Sequence, residues 1–257
     1  MSAPSVIVHR DPELLAKAVA ARLVTRLVDV QSARSDASVV LTGGGIGIAV
    51  LRELCAIPAR DAVDWRRLDV WWGDERFLPG GDGERNETQA REALLDAVPV
   101  DPARIHAMGA SDGPDGDDPA AAAERYAAEL RTATRPEDHG DVPTFDVLML
   151  GIGPEGHTAS IFPESPAAYD ERSVVAVRGA PKPPPTRLTL TFGAINSAAE
   201  VWVLAAGAEK APIAGVALIG AGRVQVPAAG VAGRRRTLWL LDQAAAAELP
   251  PALRTPW

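Results

Sequence analysis

The feature with the clearest chemical use is a histidine at the end of a glycine-bounded turn, Gly153-Pro154-Glu155-Gly156-His157-Thr158. Proline at the second place and glycine at the fourth suit a type I turn, which would present His157 just beyond the apolar run of residues 145–150. An imidazole titrates near neutrality, so it can take a proton from water and hand it to a departing oxygen. The alternative reading is a surface histidine that opens a short helix.

Asp74-Glu75-Arg76 directly follows a second apolar run, residues 68–72. Three charges at a strand's carboxyl end form either a solvated turn or the wall of a ligand crevice. In a crevice, Arg76 could grip a phosphate through paired donors, and Asp74 could hold Arg76 or the catalytic group in place. Gly43-Gly44-Gly45 follows a third run and precedes a probable helix from Ile46. Stripped of side chains, such a segment lets backbone N–H groups approach a phosphate at a helix N-terminus, although a tight turn with positive φ accounts for it as well. Lys182-Pro183-Pro184-Pro185-Thr186-Arg187 reads as an anion-binding segment or as a polyproline spacer. Lys210 reads as a ligand cation or as an exposed helix lysine.

Three familiar patterns fail on context. Gly151-Ile152-Gly153-Pro154-Glu155-Gly156 fits G-x-G-x-x-G, but Pro154 lies within the turn and Pro163 limits any following helix to about two turns. A dinucleotide site needs a full helix there, and Asp170 and Glu171 precede the next strand instead of ending it. Gly109-Ala110-Ser111-Asp112-Gly113 fits the nucleophile-elbow pattern, yet Pro114-Asp115-Gly116 follows where an elbow needs a helix. The four histidines, His9, His106, His139 and His157, include no pair at helical ligand spacing, and Cys55 is the only cysteine. No metal is expected.

Alternating strands and helices must position these groups. Strand-like residues 6–9 lead through Asp11-Pro12-Glu13 into a helix marked by Leu14, Leu15, Val19, Leu23 and Leu27. Further strands are read at residues 39–41, 68–72, 145–150, 174–177, 188–191, 201–205 and 238–241. Helices are read at 86–98, from Asp118-Pro119 to about residue 134, and at 208–218 and 244–249. The pattern predicts an α/β fold with a mainly parallel sheet covered by helices, in which the ligand crevice lies beyond the carboxyl ends of the strands. Residues 80–83, 109–118 and 135–142, rich in Gly, Pro or Asp, are expected to be the least ordered.

At 257 residues the chain is long enough for one large core, and residues 1–257 are read as a single α/β domain. A net charge of -8 argues against a general nucleic-acid binder, which needs a basic face, but leaves room for a small anion held by a few local cations. The single Cys55 sits in an apolar run where a buried thiol is expected, and it cannot form an internal disulfide. No run reaches the ~20 apolar residues that span a bilayer, and residues 1–10 lack a signal-peptide core. These features place the chain in the cytoplasm, without membrane or nucleic-acid partners; the oligomeric state stays open.

Taken in order, Leu41-Thr42-Gly43-Gly44, Trp72-Gly73-Asp74-Glu75-Arg76-Phe77-Leu78-Pro79, the run from Gly151 through His157-Thr158-Ala159-Ser160-Ile161-Phe162-Pro163, the proline-rich segment to Arg187-Leu188-Thr189-Leu190-Thr191, and residues 207–211 closely resemble the 6-phosphogluconolactonase family. The likeness spans nearly the whole chain. It implies a doubly wound sheet with a small annex, akin to glucosamine-6-phosphate deaminases and ribose-5-phosphate isomerases, and no metal or organic cofactor. It implies hydrolysis of 6-phospho-D-glucono-1,5-lactone to 6-phosphogluconate in the oxidative pentose phosphate pathway. His157 would be the general base, Arg76, Arg187 and Lys210 the anion-binding cations, and the turn of Thr42, Gly43, Gly44 and Gly45 part of the ligand cradle. A deaminase on this scaffold would show Gly-His-Ile-Ala-Phe-Asn-Glu-Pro, where this chain has Gly156-His157-Thr158-Ala159-Ser160-Ile161-Phe162-Pro163. A sugar-phosphate-binding regulator without turnover is the other alternative. The chain departs from many members at Gly45-Ile46-Gly47, where a hydroxyl residue and a proline are usual, and at Glu155, where Asp is common.

Overall fold

The first β-then-α unit forms as its pattern dictates. In the computed structural model, which describes residues 3–138 and 140–253, β1 (Ser5–His9) leads into α1 (Pro12–Arg34). The Asp11 carboxylate accepts the N–H of Leu14 at 2.8 Å and caps the helix, and Pro12 occupies the first turn, where its missing N–H costs nothing. Leu15, Val19, Leu23 and Leu27 make one stripe, each at most 1% exposed, whereas Leu14, expected with them, is 37% exposed. Burying a side chain of this size contributes roughly 1.5–3 kcal/mol, so the stripe holds α1 to the sheet.

The units that follow are β2 (Ala37–Leu41) and α2 (Gly44–Ala56), then β3 (Leu68–Trp72), β4 (Asp74–Arg76), α3 (Asn86–Ala93) and α4 (Pro119–Thr132). The second half holds β5 (Val147–Gly151), β6 (Val174–Val177), β7 (Arg187–Leu190), α5 (Phe192–Ile195), β8 (Glu200–Ala205), α6 (Ala211–Leu218) and β9 (Arg236–Asp242). Six strands form one parallel sheet in the order β1-β9-β8-β5-β2-β3. Along β5, Val147 and Met149 join the core under α1, α2 and α3, whereas Leu148 and Leu150 join the core under α4 and α6. Both faces of the strand are covered, which accounts for its unbroken apolar run.

The annex is a three-stranded antiparallel sheet, β4-β7-β6. Gly73 alone separates β3 from β4, and its backbone joins the two sheets: its N–H donates to Leu41 at 3.1 Å and its carbonyl accepts from Leu190 at 2.9 Å. Val174, Val175, Leu188 and Leu190 of the annex share a hydrophobic cluster with Val40 and Leu148 of the main sheet.

Several expectations are corrected. Asp74-Glu75-Arg76 is a strand, not a turn, because β7 supplies its hydrogen-bonding partner. The helix expected from Ile46 already begins at Gly44. The helix at 86–98 ends at Ala93 and continues as a single 3-10 turn, Leu95–Ala97. Residues 244–249 wind as successive turns and not as a helix, with Ala246 N–H bonded to the Asp242 carbonyl at 3.0 Å and Pro250-Pro251 ending the run. Cys55 is only half-buried, and its sulfur accepts from Arg60 at 3.1 Å. Residues 80–83 and 109–118 contain no helix or strand, and neither do the described residues of 135–142; His139 lies outside the described residues. Among the described residues, no helix is long and apolar enough to cross a membrane.

Candidate active site

From β2 the chain moves to β3 on one flank, and β5 then returns to the other flank of β2. This reversal opens a crevice between the carboxyl ends of β2 and β5, the place where open α/β sheets bind ligands. The Thr42 hydroxyl spans it, accepting the Gly151 N–H at 3.3 Å. A cavity of about 260 Å³ opens there.

One wall comes from β4 and the start of α3. Alternation along β4 aims Asp74 and Arg76 at the crevice and Glu75 into the interior. The Asp74 carboxylate accepts the Ser160 hydroxyl at 2.6 Å and the Asn86 amide at 3.3 Å, and the same amide donates to the Asp74 carbonyl at 2.9 Å. Asn86 in turn leaves no room for a side chain at residue 43: a Cβ there would lie 2.0 Å from its Oδ1. Fully buried Glu75 accepts the N–H groups of Arg76, Asn86 and Glu87 at 2.7–2.9 Å, tying β4 to α3. Arg85, 1% exposed, faces Glu75 at 3.7 Å and donates to the carbonyls of Leu78, Met108 and Gly109.

The opposite wall is the turn after β5. Gly156 N–H bonds back to the Gly153 carbonyl at 3.0 Å, and Gly153 N–H to the His157 carbonyl at 2.9 Å. The expected turn thus forms, but no helix follows His157. The imidazole folds over Gly153, where a Cβ would come within 2.0 Å of Nδ1. Glu155 meets Nδ1 at 2.9 Å, Lys182 meets the other Glu155 oxygen at 3.2 Å, and the Phe162 ring packs 4.7 Å from the imidazole. An ionised carboxylate can only accept, so the shared proton sits on Nδ1 and Nε2 keeps its lone pair.

Burial lowers the His157 pKa from its ordinary value; Glu155 opposes this and the Lys182 charge assists it. The imidazole is therefore neutral at pH 7. Glu155 is held below its usual range: burial pushes it up, but a backbone N–H, His157 and Lys182 outweigh that.

The cations gather in the same crevice. Arg76 and Arg187 lie directly across from each other in the β4-β7 ladder, a like-charge pairing that opposes sheet formation. Sequences that break a local rule in this way commonly do so at functional sites. Arg187 is 8% exposed, donates to the carbonyls of Lys182, Pro183 and Pro184 at 3.2 Å, and sits 5.9 Å over Phe162. Arg76 donates to the Glu84 carbonyl, while its buried Nε has no partner among the described residues. Lys210 borders the cavity at the start of α6, and burial lowers its pKa against the pull of Glu209.

Thr42, Gly43, Gly44, Asp74, Arg76, His157, Arg187 and Lys210 therefore line one crevice. Gly45 does not: it falls in the first turn of α2, one residue beyond the lining. Asp74 is engaged by Ser160 and Asn86, not by Arg76 or His157. Lys182, read from sequence only as the start of the proline-rich segment, also lines the site, and Asn86 and Glu155, which were not singled out as site residues, belong to it as well. Glu155 was within reach, since it lies two residues before His157; nothing in the local sequence distinguishes Asn86 from an ordinary first residue of a helix. Among the described residues, no group of three or more His, Cys, Asp or Glu side chains is placed to hold a metal ion.

Residues 10–239 match the family model described as glucosamine-6-phosphate isomerases/6-phosphogluconolactonase. A 6-phosphogluconolactonase of Streptomyces coelicolor is 61% identical over 98% of this chain and 97% of its own length. One of Mycobacterium tuberculosis is 48% identical over 96% and 98%. The solved structure of 6-phosphogluconolactonase from Trypanosoma brucei superposes with a TM-score of 0.81 at 30% identity, covering 96% of this chain and 99% of that one. With this full-length likeness, the chain belongs to the glucosamine-6-phosphate isomerase/6-phosphogluconolactonase family.

Proposed function

We infer that the chain hydrolyses 6-phospho-D-glucono-1,5-lactone to 6-phosphogluconate, with His157 as the acid/base. The observation that carries the mechanism is the Glu155–His157 pair: a neutral imidazole, fixed through Nδ1 and open at Nε2, bordering a cavity rich in cations. Nε2 removes a proton from water while the water oxygen bonds to the lactone carbonyl carbon. The tetrahedral intermediate then expels the ring oxygen, which takes the proton back from the imidazolium. The carbon–oxygen bond of the ring is broken, one water is consumed, and the new carboxylic acid ionises into solvent. Arg76, Arg187 and Lys210 are the groups that hold the phosphate and stabilise the oxyanion, and the Thr42 to Gly44 turn supports them with backbone N–H groups. Formation of 6-phosphogluconate above the spontaneous rate tests the activity; release of ammonia from glucosamine 6-phosphate without lactone turnover would assign a deaminase instead.

Two further outcomes are expected. The Lys210 ammonium has no side-chain partner among the described residues, so Lys210→Ala removes a ligand contact without orphaning a neighbour. It should raise KM roughly ten- to hundredfold, the worth of a charge-assisted hydrogen bond, with kcat less affected. Steady-state kinetics with unchanged KM would take Lys210 out of the anion site.

The pH profile should fall on its acid side as His157 gains a proton, with a midpoint below 6.5 because burial lowers this pKa. Glu155 raises the His157 pKa, so Glu155→Gln should move that midpoint to still lower pH. It should also reduce kcat by on the order of tenfold, about 1.4 kcal/mol of lost orientation. A midpoint that stays in place or moves up would show that Glu155 does not act on His157.

A further inference from the structure

6-Phospho-D-glucono-1,5-lactone offers the crevice two kinds of polar group. Its carbonyl and its ionised phosphate only accept hydrogen bonds, and its donors are the ring hydroxyls on carbons 2, 3 and 4. Arg76, Lys182, Arg187 and Lys210 line the cavity and match the acceptors. Asp74 is the one carboxylate in that lining among the described residues. Glu155 is outside it, with one oxygen taken by His157 and the other by Lys182.

A negative charge placed among cations that grip an anionic ligand opposes binding, unless the ligand also brings a donor to it. Asp74 forms no ion pair with any of these cations. Its carboxylate is held from the protein side instead: Oδ2 accepts the Ser160 hydroxyl at 2.6 Å and Oδ1 the Asn86 amide at 3.3 Å. Ser160 is wholly buried and outside the lining. Its N–H donates at 3.1 Å to the hydroxyl of Thr189, the residue that pairs with Asp74 across the β4-β7 ladder. The support is therefore rigid, which lowers the ordering cost of a contact made to Asp74.

Each carboxylate oxygen has two acceptor positions, and these bonds use one on each. Asp74 is 7% exposed and borders the cavity, so the positions left over are those that a ligand can reach.

We propose that Asp74 is a specificity-determining residue of the lactone site, accepting a hydrogen bond from a ring hydroxyl of the bound sugar. The assignment rests on the lactonase reading and adds what recognises the uncharged part of the substrate. A phosphate ester without a hydroxyl in that place leaves the carboxylate unpaired and close to its own charge, and the site rejects it on both counts.

The test is kcat/KM for the lactone and for its 2-deoxy, 3-deoxy and 4-deoxy analogues, each taken relative to its spontaneous opening, in wild type, Asp74→Ala and Asp74→Asn. In wild type, at least one deoxy analogue should fall below the parent by roughly ten- to hundredfold, the worth of a hydrogen bond to a charged group. In Asp74→Ala the parent should fall by a similar factor and the parent-to-deoxy ratio should approach one. Asp74→Asn keeps the shape and one acceptor oxygen without the charge, so it should retain part of the preference. The same variant carries the comparison if Asp74→Ala, which leaves Ser160 and Asn86 without their acceptor, fails to fold. Equal rates on all four lactones in wild type, or a preference undiminished in the variants, would overturn the role of Asp74 while leaving the activity in place. Absence of lactone turnover in wild type would instead overturn the lactonase reading, and this assignment with it.

Discussion

Replacing His157 with Ala should lower kcat by a factor on the order of 10²–10⁴, the usual worth of a positioned acid/base. The loss belongs in kcat because the imidazole acts on water and the ring oxygen, whereas the substrate's phosphate is gripped by the cations around it. The fold should survive, since this side chain borders the cavity and makes its one side-chain hydrogen bond to Glu155. His157→Gln separates the two jobs of the ring. An amide can still donate to Glu155, but it cannot act as a base, so the glutamine variant should be as slow as the alanine one. Steady-state rates on freshly made lactone, corrected for spontaneous opening, measure both. Full turnover in either variant would remove His157 as the base.

The second large effect is on stability and comes from the buried pair behind β4. Burial pushes the Glu75 carboxyl up to about 7, against the Arg85 guanidinium and three backbone N–H groups that favour its charged form. Arg85→Met removes that guanidinium and leaves a carboxylate without its countercharge, which costs about 3–5 kcal/mol. At roughly 2–4 °C of melting temperature per kcal/mol for a chain of this size, the loss at pH 8 should be about 6–20 °C. Because the folded pKa is raised above the ordinary 4.5, the folded state holds the proton more tightly than the unfolded one. The stability linked to that proton is complete below about pH 4.5 and is lost as pH rises through about 7. Without Arg85 the pKa rises further, so protonation should rescue much of the variant at pH 5. Thermal melts at pH 5 and pH 8 check this, and an equal loss at both would mean that the Glu75 charge is not the cause. Since Glu75 also holds the start of α3, lactone turnover at pH 8 should fall with stability.

How much of this was legible in the sequence depends on where each residue's partners lie. Strands β3 and β5 were readable because both of their faces are buried, and that double burial writes itself into the chain as a continuous apolar run of strand length. β4 was not readable. Three charged residues have weak strand propensity, and Asp74-Glu75-Arg76 is extended only because Thr189, Leu188 and Arg187 pair with it from far along the chain. Residues 244–249 erred the other way: an alanine-rich stretch favours helix locally, but it is short and Pro250-Pro251 cuts it off. His157 was visible from its turn, whereas Arg187 and Lys210 were picked out by the family resemblance of their segments. The Asn86 contact to Asp74 arises when α3 is docked through the buried carboxylate of Glu75, a tertiary event with no local pattern. Gly43 was read for its backbone N–H, and the structure adds a steric reason, the Asn86 side chain resting against it.

Nitrogen-15 NMR of the histidine side chains, with His157 assigned through its substitution, reads the protonation state on which water activation depends. At pH 7 the ring should be neutral with its proton on Nδ1, should titrate below 6.5, and should share that midpoint with the acid limb of kcat/KM. A His157 ring that is charged at pH 7, or neutral with its proton on Nε2, would leave no lone pair facing the water and would contradict the mechanism.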